Sequence, residues 1–209
     1  EMTEFLVGYG LTPTIASTRG AAVVARAAEA ADRKVPVHIK IDTGMHRVGV
    51  APAEALNLAR YIQSFESLAI EGIYTHFAVA DEPSHPANEK QLSLFNDVLA
   101  QCAAAGIEPP MVHAANSAAA LVNPDARFSM VRLGIAMYGL LPGPGVAEQC
   151  QGLIPALSLK GRVSAVRLVE KGEAVSYGLR RPLADTSVIA TVPIGYADGV
   201  PRSLIDSDI

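Results

Sequence analysis

Strand-like and helix-like segments alternate along the first two thirds of the 209-residue chain. Short apolar runs are separated by segments in which apolar residues recur at helical spacing, as at Leu56, Ala59 and Ile62 in a helix that Pro52 begins. Parallel strands need a crossover, usually a helix, so the alternation predicts an α/β fold whose parallel sheet is open or closed into a barrel. The predicted strands are residues 11–17, 35–42, 70–77, 111–114 and 130–135, and the predicted longer helices are residues 19–31 and 88–105.

The number of predicted strands leaves two architectures open. A closed barrel needs eight strand–helix units, and the chain before residue 139 contains five. Either the sheet is open, or three units precede the chain; residues 1–7, which resemble the end of a helix, favour the second reading. The five strands are then about strands 4–8 of a (β/α)8 TIM barrel, whose last two loops bind a phosphate. Ser117 and the backbone amides of Gly134 and Ile135 fall in those two loops.

The patterning changes after residue 139. The Gly- and Pro-rich segment 139–145 is followed by stretches with the two-residue periodicity of strands that have one solvated face. These stretches are residues 157–169, 174–177 and 187–194. We therefore predict two domains, the α/β part over residues 1–145 and the start of a β-rich domain over residues 153–209.

Composition and charge exclude several classes of partner. The net charge is −4 and no Lys/Arg cluster is present, so we expect no nucleic-acid partner. No apolar run approaches the roughly 18 residues of a membrane span, so we expect no membrane partner. Cys102 and Cys150 lack a CxxC spacing, which is typical of reduced thiols in a cytoplasmic protein. The opening Glu-Met-Thr-Glu shows neither an initiator Met nor a signal peptide and suggests a piece of a longer chain.

Charged and imidazole side chains stand where predicted strands should be buried. Arg132 lies within a predicted strand, and burying its charge requires a specific partner. Lys40 points into the strand layer, and Arg47, in the following loop, could clamp a carboxylate. The alternative is a surface arginine and a lysine paired with Asp42. His76 ends another predicted strand, where a lone histidine is more often a hydrogen-bonded structural residue.

Two further motifs suggest a cradle for an anion and an acid/base. In His113-Ala-Ala-Asn-Ser-Ala, either Asn116 or Ser117 can cap a short helix, whose N-terminus attracts an anion. Plain helix capping is the alternative. Tyr196 follows Gly195 at the end of a predicted strand, where a phenol can serve as an acid or base or simply pack in a turn.

Five segments of the chain carry a family likeness. They are Ile39-Lys-Ile-Asp-Thr-Gly-Met-His-Arg-Val-Gly, Glu71-Gly-Ile-Tyr-Thr-His-Phe-Ala-Val-Ala-Asp-Glu, His113-Ala-Ala-Asn-Ser-Ala, Val131-Arg-Leu-Gly-Ile-Ala-Met-Tyr-Gly-Leu and Thr191-Val-Pro-Ile-Gly-Tyr-Ala-Asp-Gly. Together, and in this order, they resemble alanine racemases. The resemblance implies a pyridoxal 5'-phosphate enzyme with a (β/α)8 barrel and a C-terminal β domain, active as a cytoplasmic homodimer. It implies interconversion of L-alanine and D-alanine by a two-base mechanism, which supplies D-alanine for peptidoglycan, and it implies no metal.

The resemblance also implies roles for individual residues. Tyr196 matches a general base that acts on a cofactor bound mainly by the partner subunit. Arg47 matches an arginine that holds the substrate carboxylate, and Lys40 a lysine that is often carbamylated. Arg132 matches the arginine facing the pyridine nitrogen; because a guanidinium keeps its proton, that nitrogen stays unprotonated and the ring is a weak electron sink. The residues that match cofactor contacts are His76, His113, Asn116, Ser117, Arg132, Gly134 and Ile135.

One departure from the family bears on activity. The lysine that binds the cofactor covalently belongs to a segment of the type V-K-A-N-A-Y-G-H-G, and no such segment occurs in this sequence. We therefore expect an internal fragment that is inactive alone. Alternatives are a broad-specificity or serine racemase and a non-catalytic cofactor-binding barrel protein. The β domain with Tyr196 counts against the second, and Arg132 counts against a decarboxylase of the same architecture.

Overall fold

A computed structural model describes residues 2–206 and divides the chain into two compact units, Glu1–Ala156 and Leu157–Ile209. In the first unit, α-helices and β-strands alternate as predicted. Among residues 2–206, no helix has both the length and the apolar character that crossing a bilayer requires. The helices of the first unit are α1 (Met2–Gly8), α2 (Thr18–Ala30), α3 (Pro52–Gln63), α4 (Pro86–Ala104) and α5 (Ser117–Val122), and its strands are β1 (Thr14–Ile15), β2 (Val35–Lys40), β3 (Leu68–Tyr74) and β4 (Met111–His113).

The four strands form one parallel sheet in the order β1-β2-β3-β4. Neighbours in sequence are neighbours in the sheet, and helices α2, α3 and α4 connect them. Pro52 is the first residue of α3, where its missing N–H has no helical acceptor to satisfy. Ser17 begins α2 by accepting a hydrogen bond from the Gly20 amide. The predicted parallel α/β arrangement is confirmed.

The hydrophobic core lies between one face of the sheet and the helices. Val37 and Ile39 of β2, and Ile41 just after it, are almost fully buried. They belong to one apolar cluster with residues of α2, α3 and α4. Side chains alternate along a strand, so His38 and Lys40 project from the opposite face. The face of the sheet opposite the core is therefore polar, and it carries Lys40, one of the predicted site residues.

The predicted strand at 130–135 is wrong. Met130 makes an isolated parallel bridge to His113, after which the chain turns into a 3-10 helix, Ile135–Tyr138. The backbone N–H of Arg132 donates to the Ala115 carbonyl, beyond the end of β4. The amides that would extend a ladder instead donate to the hydroxyl of Ser117. A side chain of a neighbouring helix thus replaces a strand partner.

Two further strand boundaries differ from prediction. The predicted strand 70–77 begins at Leu68 and ends at Tyr74, so His76 lies in the loop after β3. The predicted strand 35–42 ends at Lys40, and the loop after it closes on itself through a bridge between Ile41 and Val50. Both differences move polar residues from strand interiors to loops at the carboxyl edge of the sheet.

The second unit contains an antiparallel pair of strands, β5 (Ala165–Val169) and β6 (Ser187–Thr191). This pair lies within the predicted stretches 157–169 and 187–194. The predicted strand 174–177 is wrong, because Ala174 makes an isolated bridge to Pro182 and the residues that follow form a turn.

Candidate active site

The ring of Tyr74 is surrounded by three nitrogen-bearing side chains at the carboxyl edge of the sheet. The register places Lys40, Tyr74 and His113 side by side at the ends of β2, β3 and β4. The His113 imidazole stacks on the Tyr74 ring, with 4.6 Å between centroids and 12° between planes. Lys40 Nζ and Arg132 Cζ each lie 5.0 Å from the centroid of the same ring. Parallel pairing therefore gathers these groups, because adjacent strands end together.

The Arg132 guanidinium is held by neutral acceptors. It donates through Nη1 to Nδ1 of His113 and through Nη2 to the Thr75 carbonyl at 2.7 Å. Nη2 also contacts Nδ1 of His76 and the Ala114 carbonyl, both at 3.1 Å. Burial lowers the pKa of Arg132 below its ordinary value, yet a guanidinium remains charged throughout the accessible range. The partners that a buried arginine requires are thus carbonyls and imidazoles.

The two histidines bound to Arg132 are neutral near pH 7. Burial, followed by the charge of Arg132, lowers the pKa of His113 to about 3 and that of His76 to about 4. Arginine can only donate, so the Nδ1 atom of each ring must accept and the proton of each ring lies on Nε2. The hydrogen bonds to Arg132 therefore assign one tautomer to both imidazoles.

Lys40 is 6% exposed, and its amine is easily deprotonated. Burial, with the nearby charges of Arg132 and Arg47, lowers its pKa to about 8, while Asp42 opposes that shift. The carboxylate of Asp42 instead accepts from the amides of Gly44 at 3.1 Å and His46 at 2.9 Å. Asp42 thus stabilises the loop after β2 and does not neutralise Lys40. The charges that act on Lys40 are mainly those of Arg132 and Arg47.

Arg47 lies exposed on this loop, within electrostatic reach of Lys40 and His76. Gly49 closes the loop: its φ is +141°, and a Cβ there would lie 2.7 Å from the backbone nitrogen of Asp42. The two ends of the loop that carries Arg47 therefore approach each other at Gly49, where a residue with a side chain does not fit.

Asn116, Ser117 and Gly134 come together, as the two-loop prediction requires. Asn116 is the N-cap of α5, and its Oδ1 accepts from the Ala119 amide at 3.1 Å. Ser117 is buried, and its Oγ accepts from the amides of Gly134 at 2.8 Å and Ala136 at 3.3 Å. Because that oxygen serves only as an acceptor in these contacts, its O–H remains available as a donor. Ile135 stands between those two amides in the chain and begins the 3-10 helix Ile135–Tyr138.

Tyr196 belongs to the second unit, whereas the other predicted site residues belong to the first. It begins a 3-10 turn, Tyr196–Asp198, and is 68% exposed. The Asp198 carboxylate accepts from the Gly195 amide at 2.9 Å, which ties the two ends of the turn together. The turn thus presents an exposed phenol.

Sequence reasoning missed several residues that shape the site. Tyr74 lies at its centre, and Gln91 of α4 fixes the loop of His76 by donating to the His76 carbonyl at 3.0 Å. His38 hydrogen-bonds His113, with 2.9 Å between Nδ1 and Nε2. One available signal was the i, i+2 spacing of His38 and Lys40, which places both on one face of a strand.

In residues 2–206, no group of three or more His, Cys, Asp and Glu is arranged to hold a metal ion.

Comparison with known proteins places this geometry in a family. Residues 1–142 match the family model "Alanine racemase, N-terminal domain", and residues 156–208 match "Alanine racemase, C-terminal domain". An alanine racemase from Symbiobacterium thermophilum is 48% identical over 168 residues, which cover 80% of this chain and 44% of the relative. The chain thus spans about half the length of the curated relatives that it matches.

Solved structures agree. The alanine racemase of Clostridium difficile 630 superposes with a TM-score of 0.82 at 37% identity, covering 96% of this chain and 52% of that one. A histidine racemase from Leuconostoc mesenteroides superposes with a TM-score of 0.80 at 26% identity, covering 95% of this chain and 53% of that one. The predicted fold class, part of a (β/α)8 barrel followed by part of a C-terminal β domain, is confirmed. The chain belongs to the alanine racemase family.

Proposed function

We propose that the full-length protein interconverts L-alanine and D-alanine with pyridoxal 5'-phosphate as cofactor. The observation that carries this proposal is Arg132, a permanent cation held by two neutral imidazoles at the carboxyl edge of a parallel sheet. Membership of the alanine racemase family supports it. Catalysis of this kind needs a site that binds an anionic cofactor and moves a proton at the substrate Cα.

The residues of the site fit the cofactor chemically. Its phosphate needs hydrogen-bond donors. The Ser117 O–H at the start of α5, which Asn116 caps, and the backbone amide of Ile135 would supply them, next to the Gly134 amide that already donates to Ser117 Oγ. Its ring nitrogen needs a donor. Nη2 of Arg132 is engaged and Nη1 donates one hydrogen to His113, so one hydrogen on Nη1 and the hydrogen on Nε remain for it. His76 and His113 hold that guanidinium in place.

Arg132 would set the fate of the reacting carbon. When bound, the cofactor ring withdraws charge from the substrate Cα after its proton leaves. Arg132 would donate a hydrogen bond to the ring nitrogen and keep its own proton, so that withdrawal would stay weak. Rapid return of a proton to Cα would then be favoured, which a racemase requires and a decarboxylase does not.

Arg47 and Lys40 would bind and organise the substrate. Arg47 offers a planar fork of donors for the alanine carboxylate. Lys40, with its pKa near 8, has a substantial fraction of free amine. That amine can add to carbon dioxide and release a proton, and the resulting carbamate would pair with Arg47. A carbamate there also removes the positive charge that the neighbouring arginines oppose.

Tyr196 would be the base on one face of Cα, in a homodimer in which it acts on the partner subunit's cofactor. Its exposed turn suits a residue that works across an interface. In such a dimer, the Nε2–H of His76 would belong to a hydrogen-bond chain that leads toward this phenol. We propose that the protein is cytoplasmic, has no nucleic-acid or membrane partner and supplies D-alanine for peptidoglycan synthesis. We propose residues 1–145 and 153–209 as its two domains.

The test is racemisation by the full-length protein loaded with the cofactor. L-Alanine should lose its circular-dichroism signal at a rate proportional to enzyme concentration, and Tyr196→Phe should suppress proton removal from one enantiomer more than from the other. Serine and histidine are run in parallel. The fold shared with a histidine racemase makes a different or broader amino-acid specificity the second candidate. Bound cofactor without racemisation of any amino acid would favour a non-catalytic protein.

A further inference from the structure

A line of polar contacts continues from Arg132 through His113 and His38 to Glu71, away from the edge where the substrate would bind. Nε2 of His113 lies 2.9 Å from Nδ1 of His38. Nε2 of His38 lies 3.4 Å from a carboxylate oxygen of Glu71. The imidazole of His38 is 14% exposed, whereas the side chain of Glu71 is 40% exposed, so water competes little at the histidines and reaches the carboxylate. Four side chains from four segments thus form one line.

Each bond in this line has a defined direction. Arg132 can only donate, so Nδ1 of His113 accepts and its Nε2 carries the proton. That proton faces Nδ1 of His38, which must therefore accept, and the proton of His38 lies on Nε2. That Nε2 proton faces the Glu71 carboxylate across 3.4 Å, and the same carboxylate accepts from Thr12 Oγ1 at 3.4 Å. A cation and an anion therefore stand at opposite ends of two neutral imidazoles that are each held in one tautomer.

The backbone is adapted to this line in two places. The register between β2 and β3 shifts after Val37, so that Ile70 and Gly72 have partners while Glu71 is the extra residue of a bulge. Bulges re-aim a side chain, and this one belongs to the carboxylate that meets His38. Gly72 pairs with His38, and a Cβ on it would lie 2.7 Å from ring atoms of that histidine. Its φ is not in the left-handed region, so the absence of a side chain serves to make space.

We infer that His38 and Glu71 are positioning residues for Arg132. They hold His113 as a neutral ring whose Nδ1 accepts from the guanidinium, which fixes the direction of the remaining Nη1 hydrogen. This inference rests on the proposed function, in which that hydrogen points to the cofactor. Aligned hydrogen bonds polarise one another, so the carboxylate at the far end makes His113 a stronger acceptor. The alternative is that His38 and Glu71 only stabilise the sheet.

The first test needs no activity. In the full-length protein labelled with ¹⁵N-histidine, long-range ¹H–¹⁵N spectra should show His113 and His38 each protonated at Nε2 and bare at Nδ1, with assignments from His113→Asn and His38→Gln. A proton on Nδ1 of either ring, or an interconverting mixture, would overturn the inference. Tautomers in the cofactor-free protein report on the line even if the proposed reaction is wrong.

The second test uses substitutions in the cofactor-loaded enzyme. His38→Leu removes the acceptor and the donor, whereas His38→Gln can supply both through its carboxamide. We expect kcat for alanine to fall about tenfold in His38→Leu, as loss of a hydrogen bond in a line with charged ends implies. The absorption of bound cofactor should shift with it, and His38→Gln should recover most of both. Equal effects of Leu and Gln would indicate a merely structural role and reject the inference.

Two further variants protect the test from misfolding. Gly72→Ala leaves every polar group of the line in place but displaces the His38 ring, and it should lower kcat and shift the spectrum in the same direction as His38→Leu. Glu66→Gln alters an exposed carboxylate just before β3 and should change neither. Wild-type enzyme that fails to racemise alanine would refute the proposed function, whereas active wild type with unchanged Gly72→Ala and His38→Leu variants would refute the positioning role alone.

Discussion

The hydroxyl oxygen of Ser117 accepts the backbone N–H of Gly134 at 2.8 Å, which joins the start of α5 to the loop after Met130. A second amide, from Ala136, reaches the same oxygen at 3.3 Å. This contact explains why residues 130–135 do not form a strand, and it assembles the proposed phosphate cradle. One buried hydroxyl thus serves both the fold and the site.

Ser117→Ala should weaken stability and cofactor binding together. It leaves two backbone amides without their acceptor at a buried position, so the free energy of unfolding should fall by about 1–3 kcal/mol. Affinity for the cofactor should fall about tenfold, because a donor to the phosphate is lost. Urea unfolding and a fluorescence titration measure the two quantities. Ser117→Thr keeps the hydroxyl and is the control; equal losses in both variants would contradict the assignment.

Gln91→Leu should destabilise the loop that carries His76. The carboxamide of Gln91 accepts from the Ala78 amide at 3.0 Å and donates to the His76 carbonyl at 3.0 Å and to Thr43 Oγ1 at 3.3 Å. Its loss leaves these buried groups unpaired, and the free energy of unfolding should fall by about 2–4 kcal/mol. Gln101→Leu changes an exposed glutamine on the same helix and should alter stability little. Similar unfolding curves for both variants would argue against this role.

Stability should fall as the pH is lowered through the acidic range. Unfolded histidine has a pKa near 6.5, whereas the folded values are about 3 for His113 and about 4 for His76. Between those limits the unfolded chain binds more protons, so stability is full above pH 6.5 and decreases as the pH falls toward the folded values. The slope is at most about 1.4 kcal/mol per pH unit for each histidine.

Urea unfolding of the wild type and of His113→Asn at pH 7.5, 6 and 5 tests this dependence. Asn keeps an acceptor for Arg132 but does not titrate, so its slope should be smaller. If stability depends on pH equally in both proteins, His113 takes up its proton as readily in the folded state as in the unfolded state, which would contradict the prediction.

Lys40 should carry carbon dioxide reversibly, and the extent should rise with pH. The reacting form is the neutral amine, whose fraction increases as the pH rises through about 8. In ¹³C-bicarbonate, the protein should show a carbamate carbonyl resonance that disappears in Lys40→Arg and persists in Lys90→Arg, which alters an exposed lysine. A resonance that survives Lys40→Arg would assign the carbamate elsewhere.

Much of the site could be predicted because polar residues at the ends of consecutive parallel strands must meet at one edge. Lys40 and Arg132 were identified as charges within predicted strands and His113 from its motif with Asn116 and Ser117, and all three surround Tyr74. Tyr74 itself was missed, because a tyrosine in a strand also fits ordinary packing. Its central position follows from its register with Lys40 and His113.

The line through His38 and Glu71 was beyond pattern reasoning. It depends on a bulge that displaces Glu71 from the ladder and on the missing Cβ of Gly72, and neither leaves a periodic mark in the sequence. The strand predicted at 130–135 failed for a similar reason. Local apolar patterning favoured a strand there, but the Ser117 hydroxyl competed for its amides.

The amino-acid sequence by itself determined the alternation of helices and strands, the parallel order of the sheet and the set of polar groups at its carboxyl edge. These follow from side-chain periodicity and from the helical crossovers that adjacent parallel strands require. The tertiary structure alone decided which groups touch, which imidazole nitrogen carries each proton and which amine is readily deprotonated. Those properties depend on burial and on distances of a few ångströms between residues far apart in the chain, and no local pattern contains them.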